Sequence, residues 1–295
     1  MLSFNFEQKI AKHVSLKPFK SIGIGVAFSP NLKANLFEAA RLSVFFDAKL
    51  FLIHVGEPSE EKTNSLNEIL KSFEKDNLNF EVVFKTGDPV DVILSTSEEK
   101  KIDLLILGAV QRERFVKYYV GSIARKITRQ AKCSILLLVK PSVVRAPCQH
   151  IVVNGLKDPK TESTITAAFY VANQLKAKKV TIVEEINEDQ VTVKVDDDKS
   201  LRRATIIKER IKLRENSRIK EIISHIPVEC TTEKTIKLQP IFGKKGYSIG
   251  HYAQIMRADL LVMNAPTKMT FWDRLFPHDI EHILTELPTD VLILQ

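Results

Sequence analysis

The sequence repeats itself at a distance of 156 residues, and this repeat constrains the fold more than any other feature. The ungapped matches are glycines, aliphatic residues and an aspartate that opens an apolar run: Gly87 with Gly243, Ile93 with Ile249, Asp103–Leu105 with Asp259–Leu261, and Ile135–Leu138 with Val291–Leu294. Self-similarity on the scale of a domain indicates duplication. A chain of 295 residues is long enough for two domains of ordinary size, so we expect one architecture built twice.

Short apolar runs bounded by turn residues follow one another along the first copy. They are Ile22–Phe28, Lys49–Val55, Leu104–Leu107 and Ile135–Val139, and Asn79–Phe84 follows an alternating pattern that also predicts a strand. Such runs are typical of parallel strands that are covered on both faces. Helix-spaced apolar residues lie between them. The alternation predicts an α/β class, with an open parallel five-stranded sheet and helices on both faces in each copy.

The repeat also suggests where the chain divides. We place an N-terminal arm at 1–20, a first domain at 21–140, a linker with two prolines at 141–149 and a second domain at 150–295. The second copy carries an insertion before its third strand, and this contains a long charged helix around Leu201–Ile226. The last strands of the copies, 134–139 and 290–294, are expected at sheet edges, where they are available to pair with each other.

Composition limits the partners. The net charge is +8, but the basic residues are spread along the chain and do not alternate with aromatic ones, so we expect no nucleic-acid partner. No apolar run approaches the roughly 20 residues that span a bilayer, so we expect no membrane partner. Three widely separated cysteines and an N-terminus without an apolar signal segment predict a cytoplasmic protein.

The stretch from Gly108 to Ala131 carries the candidate binding residues. Gly108 follows a buried strand, at the edge where open α/β sheets bind ligands. Gly121 and Ser122 begin a helix, for which we predict Ser122 as the N-cap and an inward face of Ile123, Ile127 and Ala131. Backbone N–H groups at such a helix start favour a phosphate.

In spacing, Gly108-x2-Gln111-x9-Gly121-Ser122 resembles the nucleotide loop of the universal stress protein (UspA) family, Gly-x2-Gly-x9-Gly-Ser/Thr. Gln111 stands where that loop has its second glycine. The similarity to tandem members of the family covers nearly all of residues 20–295. It implies a Rossmann-like fold of the adenine nucleotide alpha hydrolase type, two copies joined as an intramolecular pseudo-dimer, and a role in the stress response.

The resemblance also implies residue roles in the first domain. Position by position, phosphate contacts fall on Gly108, Gln111, Gly121 and Ser122, and a main-chain contact to adenine falls on Val55. Family members end the first strand with an aspartate near the adenine and ribose, and Ser29 occupies that position here. The implied ligand is ATP or a related adenine nucleotide, with Mg²⁺ accompanying it.

The second copy has lost this pattern. Its equivalents of the loop residues are Asn264, Thr267, Pro277 and His278, and Asn154 ends its first strand. A proline at a helix start is structurally favourable but removes an N–H donor. We therefore expect no nucleotide in the second domain.

Two functional hypotheses remain open. In the first, the protein is a regulatory module that binds an adenine nucleotide in its first domain only. In the second, neither copy binds a nucleotide, and the protein acts on an unknown protein partner or as a homodimer. We find no nucleophile elbow or Walker loop, so we assign no catalytic residue and no metal site, and we expect at most slow ATP hydrolysis.

Overall fold

A computed structural model describes residues 18–111, 118–191, 193–243, 247–265 and 279–295. The predicted N-terminal arm therefore lies almost wholly outside the described residues, as do Thr267, Pro277 and His278. The strands are β1 (Ser21–Val26), β2 (Lys49–Val55), β3 (Phe80–Lys85), β4 (Leu104–Gly108), β5 (Val110–Gln111), β6 (Tyr118–Tyr119), β7 (Ser134–Leu138), β8 (His150–Asn154), β9 (Lys179–Ile186), β10 (Thr235–Phe242), β11 (Leu260–Asn264) and β12 (Asp290–Leu294). The helices are α1 (Leu32–Phe46), α2 (Glu60–Leu70), α3 (Pro89–Glu99), α4 (Ser122–Gln130), α5 (Thr161–Gln174), α6 (Asp198–Ser224), α7 (Val228–Thr231), α8 (Tyr247–Ile255) and α9 (Asp279–Thr285).

Ten of the described strands form one sheet, in the order β10-β9-β8-β11-β12-β7-β4-β1-β2-β3. Within each half of this sheet all neighbouring strands are parallel. The α/β class and the two five-stranded parallel arrangements are confirmed. The division of the chain into domains at 21–140 and 150–295 stays a prediction.

The two halves meet through antiparallel pairing of β7 with β12, which confirms the predicted pairing of the last strands. Leu136 lies opposite Leu292, flanked by the pairs Ile135 with Ile293 and Leu137 with Val291. Leu136 and Leu292 are themselves related by the 156-residue repeat. A local two-fold axis therefore passes through this pair, as in the interface of a symmetric homodimer.

The repeat also appears at the amino ends of the strands. In the N-terminal half, a carboxylate oxygen of Asp103 accepts the backbone N–H groups of Lys20 (2.9 Å) and Ser21 (3.1 Å). In the C-terminal half, Asp259 accepts those of Gln149 (2.7 Å) and His150 (2.9 Å). Each aspartate thus ties the start of the fourth strand of its half to the start of the first strand.

Apolar residues cover both faces of the sheet, and each of the two core layers runs through both halves. One layer contains Leu36 from α1, Leu66 from α2, Phe169 from α5 and Ile219 from α6. The other contains Ile93 from α3, Ile127 from α4, Ile249 from α8 and Leu284 from α9. No helix in the described segments combines the length and apolarity that crossing a bilayer requires.

The sequence pattern predicts the inserted helix α6 correctly but is wrong about one residue of α4. The long inserted helix α6 is present and buries Ala204, Ile211 and Ile219, as its apolar stripe predicts. In α4 the predicted inward face is wrong at its first position, because the side chain of Ile123 is 48% exposed while Ile127 is buried. The start of α4 projects beyond the core layer, so only its second turn packs on the sheet.

Candidate functional site

The strand order of the N-terminal half reverses between β1 and β4, and ligands of open α/β sheets bind at such a switch point, beyond the carboxyl ends of the strands. Gly108 ends β4 and is exposed. The register Ile24 to Ile106 places Gly108 level with the end of β1. Ser29 follows β1 and is exposed, and Val55 ends the neighbouring β2. These three predicted residues lie at one edge of the sheet; their binding role stays a prediction.

A short hairpin, which the sequence pattern did not reveal, brings the remaining predicted residues to this edge. Val110 pairs with Tyr119, and Gln111 pairs with Tyr118. Gly108 lies two residues before Val110, and Gly121 lies two residues after Tyr119, which pairs with Val110. A β-carbon at Gly121 would lie 3.3 Å from the Val110 side chain. The end of β4 and the start of α4 therefore approach each other.

The start of α4 differs by one residue from the prediction. Gly121 is the N-cap, with extended backbone angles (φ −62°, ψ 165°), and Ser122 is the first helical residue, so the assignment of Ser122 as N-cap is wrong. No side chain caps this end and no acidic residue lies in its first turn. The first intrahelical bond joins the N–H of Arg125 to the carbonyl of Gly121 at 2.8 Å. The N–H groups of the preceding positions and the helix dipole make this end attractive to an anion.

Asn35 of α1 is a residue of this edge that the sequence analysis missed. A β-carbon placed on Gly108 would lie 3.7 Å from both amide atoms of Asn35. The Asn35 Oδ1 atom is buried and has no hydrogen-bond partner among the described residues. Buried polar atoms are normally paired, so this oxygen is an unsatisfied acceptor close to Gly108.

An aromatic cluster lies beside Val55. The Nδ1 atom of His54 donates to the carbonyl of Val26 at 3.0 Å, and its Nε2 atom accepts from Lys62 Nζ at 3.1 Å. The ring of Phe28 meets that of His54 edge-on, with 5.2 Å between the ring centroids, and Phe28 is 43% exposed. The ammonium group of Lys62 lies 5.8 Å from the Phe28 centroid. An aromatic face in this position suits a planar ring system.

The C-terminal half holds the described segment that leads into α4 in place. The N–H of Val120 donates to the carbonyl of Leu284 at 3.0 Å, and the N–H of Leu287 donates to the carbonyl of Tyr118 at 3.0 Å. The guanidinium of Arg125 also reaches the Leu284 carbonyl, at 3.2 Å. The approach to α4 is thus positioned by residues more than 150 positions away in the chain.

The corresponding edge of the C-terminal half is bridged by side chains. Asn264, the equivalent of Gly108, donates from Nδ2 to the Oδ1 atom of Asp158 at 3.3 Å. Asn154, at the end of β8, accepts the N–H of Leu156 at 3.0 Å. The Asn264–Asp158 bond joins β11 to the segment that leads into α5, across the switch point between β8 and β11.

Two adjacent buried glutamates at the end of β9 were also missed by the sequence analysis. Glu185 accepts the N–H of Ile249 at 2.7 Å on one face of the sheet. On the other face, Glu184 lies 4.0 Å from the guanidinium of Arg218, which bonds Glu215 at 2.9 Å. Burial raises the pKa of Glu184 to about 7, more than the nearby guanidinium lowers it. Two acidic residues directly after the apolar run that ends at Val183 were the signal in the sequence.

The described cysteines are not activated nucleophiles. All three are free. Burial raises the pKa of the Cys133 thiol to about 11 and that of Cys148 to about 12. Both thiols are therefore protonated at neutral pH, whereas a reactive cysteine needs a lowered pKa. The described residues also include no group of three or more His, Cys, Asp or Glu side chains arranged to hold a metal ion.

Comparison with known proteins assigns the N-terminal half to a protein family. Residues 18–140 match the model of the universal stress protein family. This segment belongs to the universal stress protein family. A universal stress protein of Methanothermobacter thermautotrophicus is 33% identical over 86 residues, which make up 27% of this chain and 58% of that relative. One from Methanocaldococcus jannaschii is 24% identical over 122 residues, or 35% of this chain and 72% of that relative.

The fold of nearly all of the chain is similar to that of a solved universal stress protein. A crystal structure of a universal stress protein from Archaeoglobus fulgidus covers 93% of this chain, and 98% of that protein is covered in return. The TM-score is 0.66 and the sequence identity is 16%. At this level of identity the likeness concerns the fold, and it extends to the C-terminal half, which lies outside the family match.

Proposed function

We propose that this protein is a regulatory module of the universal stress type, which binds ATP or a related adenine nucleotide in its N-terminal half only. One observation carries the proposal. The β5–β6 hairpin brings the side-chain-free end of β4 at Gly108 to the uncapped start of α4 at Gly121, at the switch point of the sheet. This arrangement combines exposed backbone and a positive helix end, which together favour a phosphate chain.

The contacts around this point support a particular pose. The phosphates lie over Gly108 and the first turn of α4, near Gly121 and Ser122, with Mg²⁺ accompanying them. The adenine lies beside Val55, where the exposed ring of Phe28 offers a stacking face. Ser29 lies next to the ribose, and the side-chain amide of Asn35 lies close to the phosphates at Gly108.

In this proposal the C-terminal half is a structural partner. Its bridge from Asn264 to Asp158 spans the place that a phosphate takes in the N-terminal half. Its carbonyl at Leu284 and N–H at Leu287 hold the approach to α4. The described groups offer no activated nucleophile, so binding and not turnover is the proposed activity.

Calorimetry with MgATP tests the proposal through two variants of one residue. Gly121→Pro removes one N–H donor at the start of α4, and the φ of −62° at Gly121 already suits proline. Gly121→Ala keeps the N–H and serves as the matched control. Hydrogen bonds to charged groups contribute about 1.5–3 kcal/mol. We therefore expect wild type and Gly121→Ala to bind, and Gly121→Pro to lose at least roughly tenfold in affinity.

The same titration separates the two functional hypotheses. ATP should bind more tightly than adenosine, because the proposed site holds the phosphates. Absence of saturable heat at millimolar ATP would reject nucleotide binding and leave the interaction module acting through protein partners. If Gly121→Pro and Gly121→Ala bound ATP with equal affinity, the start of α4 would not be part of the binding site.

A further inference from the structure

The C-terminal half contains a cavity of its own that lies away from the proposed nucleotide site. Its volume is about 180 Å³, well above the roughly 15 Å³ that accommodates one water molecule. It lies between the carboxyl end of β9, the segment after β8, and the inserted helix α6. The charged residues that line it are Lys157, Glu184, Glu185, Arg214, Glu215 and Arg218.

Glu184 is the unusual member of this set. Its side chain lines the cavity and the residue is only 2% exposed. Neither carboxylate oxygen has a hydrogen-bond partner within the described part of the chain. A buried carboxyl group without such partners is costly to the fold, so its retention at a cavity wall points to a bound group that supplies the missing donors.

The neighbouring guanidinium groups do not supply these donors. Arg218 donates to the carbonyl of Gly155 at 2.6 Å and to Glu215 at 2.9 Å. Arg214 donates to the other carboxylate oxygen of Glu215 at 3.0 Å. Glu215 thus receives two guanidinium groups. The nearest guanidinium nitrogen to Glu184 remains 4.0 Å away, beyond hydrogen-bond distance.

Gly155 allows Glu184 to occupy this place. A β-carbon at Gly155 would lie 3.1 Å from Cγ of Glu184, 2.8 Å from a methyl carbon of Ile182 and 3.2 Å from the carbonyl oxygen of Val183. Any other residue would push against the backbone of β9. The glycine that follows β8 therefore leaves room for Glu184 at the cavity wall.

We propose that this cavity binds a small amino acid with a cationic side chain, whose side-chain N–H groups pair with Glu184 and whose carboxylate lies toward Arg214 and Lys157. Lys157 is exposed and the Arg214 side chain is 64% exposed, so both cations are accessible from solvent. A ligand with a cationic group at one end and a carboxylate at the other therefore meets Glu184 and these accessible cations at the same time.

The two unpaired oxygens of Glu184 also indicate which kind of cationic group the ligand carries. A carboxylate with both oxygens available matches the two parallel N–H donors of a guanidinium group, which is the strong bidentate arrangement. A free guanidinium amino acid is therefore the best probe of this site. This inference does not depend on nucleotide binding, because it uses residues of the C-terminal half alone.

Calorimetry with L-arginine is the test, with agmatine and L-citrulline as matched probes. Agmatine keeps the guanidinium but lacks the carboxylate, and citrulline keeps the carboxylate but has a neutral urea group. At pH 8 we expect one molecule of L-arginine to bind per chain, weaker binding of agmatine and no binding of citrulline. Glu184→Gln should weaken the binding of L-arginine at least tenfold. Arg214→Ala should reduce the preference for L-arginine over agmatine.

The affinity should also depend on pH. Glu184 must be ionised to bind a cation, and burial has raised its pKa to about 7. The groups that face it are Arg218 and Glu215, with Arg214 beside them on α6 and Lys157 across the cavity. From pH 6 to pH 8 the ionised fraction rises roughly tenfold, so the affinity for L-arginine should rise by about the same factor.

Specific outcomes would overturn the inference. They are no saturable heat with L-arginine at millimolar concentration, equal binding of L-citrulline, or an unchanged affinity in Glu184→Gln. Gly121→Pro separates the two proposals, because it should leave L-arginine binding intact whatever it does to ATP.

Discussion

The carboxyl edges of the two halves differ by one side chain in the same structural position. In the N-terminal half, Gly108 ends β4 without a side chain, and the amide of Asn35 lies close by with an unpaired oxygen. In the C-terminal half, Asn264 ends β11 and donates to Asp158 across the edge. A residue that leaves the backbone open in one copy is replaced by one that closes the edge in the other.

At the amino ends of the strands, by contrast, the two halves make equivalent contacts. Asp103 and Asp259 make the same pair of hydrogen bonds to the start of the first strand of each half. Contacts at this edge hold the strands together, whereas the carboxyl edge of an open α/β sheet is where ligands bind. The two copies thus share the scaffold and differ where a ligand would be bound.

The largest expected effect concerns the shared amino edge. Asp103→Ala and Asp259→Ala each remove a carboxylate that accepts two backbone N–H groups, at about 1.5–3 kcal/mol for each such bond. We expect each variant to lose about 3 kcal/mol of unfolding free energy, measured by urea denaturation. The exposed Glu57→Ala serves as the control and should change little. A loss in only one of the two aspartate variants would break the equivalence of the halves.

The next effect sharpens the difference between the halves through pH. The folded pKa of Glu184, about 7, lies above its ordinary value of 4.5, so the folded state resists ionisation. The stability that the protonated form provides is present below about pH 4.5 and is lost as the pH rises through 7. Glu184→Gln lacks this loss and should exceed wild type by up to roughly 3 kcal/mol at pH 8.

Thermal and urea unfolding at pH 5 and pH 8, without added ligand, measure this difference. At pH 5 the two proteins should be similar, because the carboxyl group and the amide are both neutral. A variant that is less stable than wild type at pH 8 would show that the ionised carboxylate is well paired in the fold.

The smallest effect comes from exchanging the residues at the carboxyl edge. Gly108→Asn places a side chain toward Asn35. It should weaken the binding of MgATP about tenfold, as measured by calorimetry, with little change in stability. Asn264→Gly removes one hydrogen bond to Asp158 and should cost about 1 kcal/mol in unfolding free energy. If Gly108→Asn bound ATP as tightly as wild type, the absence of a side chain at Gly108 would not distinguish the two edges.

Much of the fold followed from local patterns in the sequence. The apolar runs predicted the parallel strands, and the apolar stripe around Leu201–Ile226 predicted α6. The repeat of Ile135–Leu138 at Val291–Leu294 identified the two strands that join the halves. These predictions succeeded because burial on both faces of a sheet requires continuous apolar runs.

Details that depend on distant contacts were missed. The projection of Ile123 could not be read from its four-residue spacing, because only packing decides which turn of a helix meets the sheet. The β5–β6 hairpin lies in a basic loop without strand-like periodicity, and part of its surroundings comes from Leu284 and Leu287. The site residues Ser29, Val55, Gly108, Gln111, Gly121 and Ser122 stay predictions until ligand binding is measured.

By itself, the sequence determined that the chain builds the same five-stranded parallel arrangement twice, because the period of apolar residues dictates which backbone can bury them. It also predicted where the N-terminal half would offer backbone to a ligand. Only the tertiary structure decided that Asn264 bridges to Asp158, and that α6 leaves Glu184 facing a cavity without hydrogen-bond donors. Those features depend on side chains brought together across more than 30 residues of sequence, where spacing carries no information about distance.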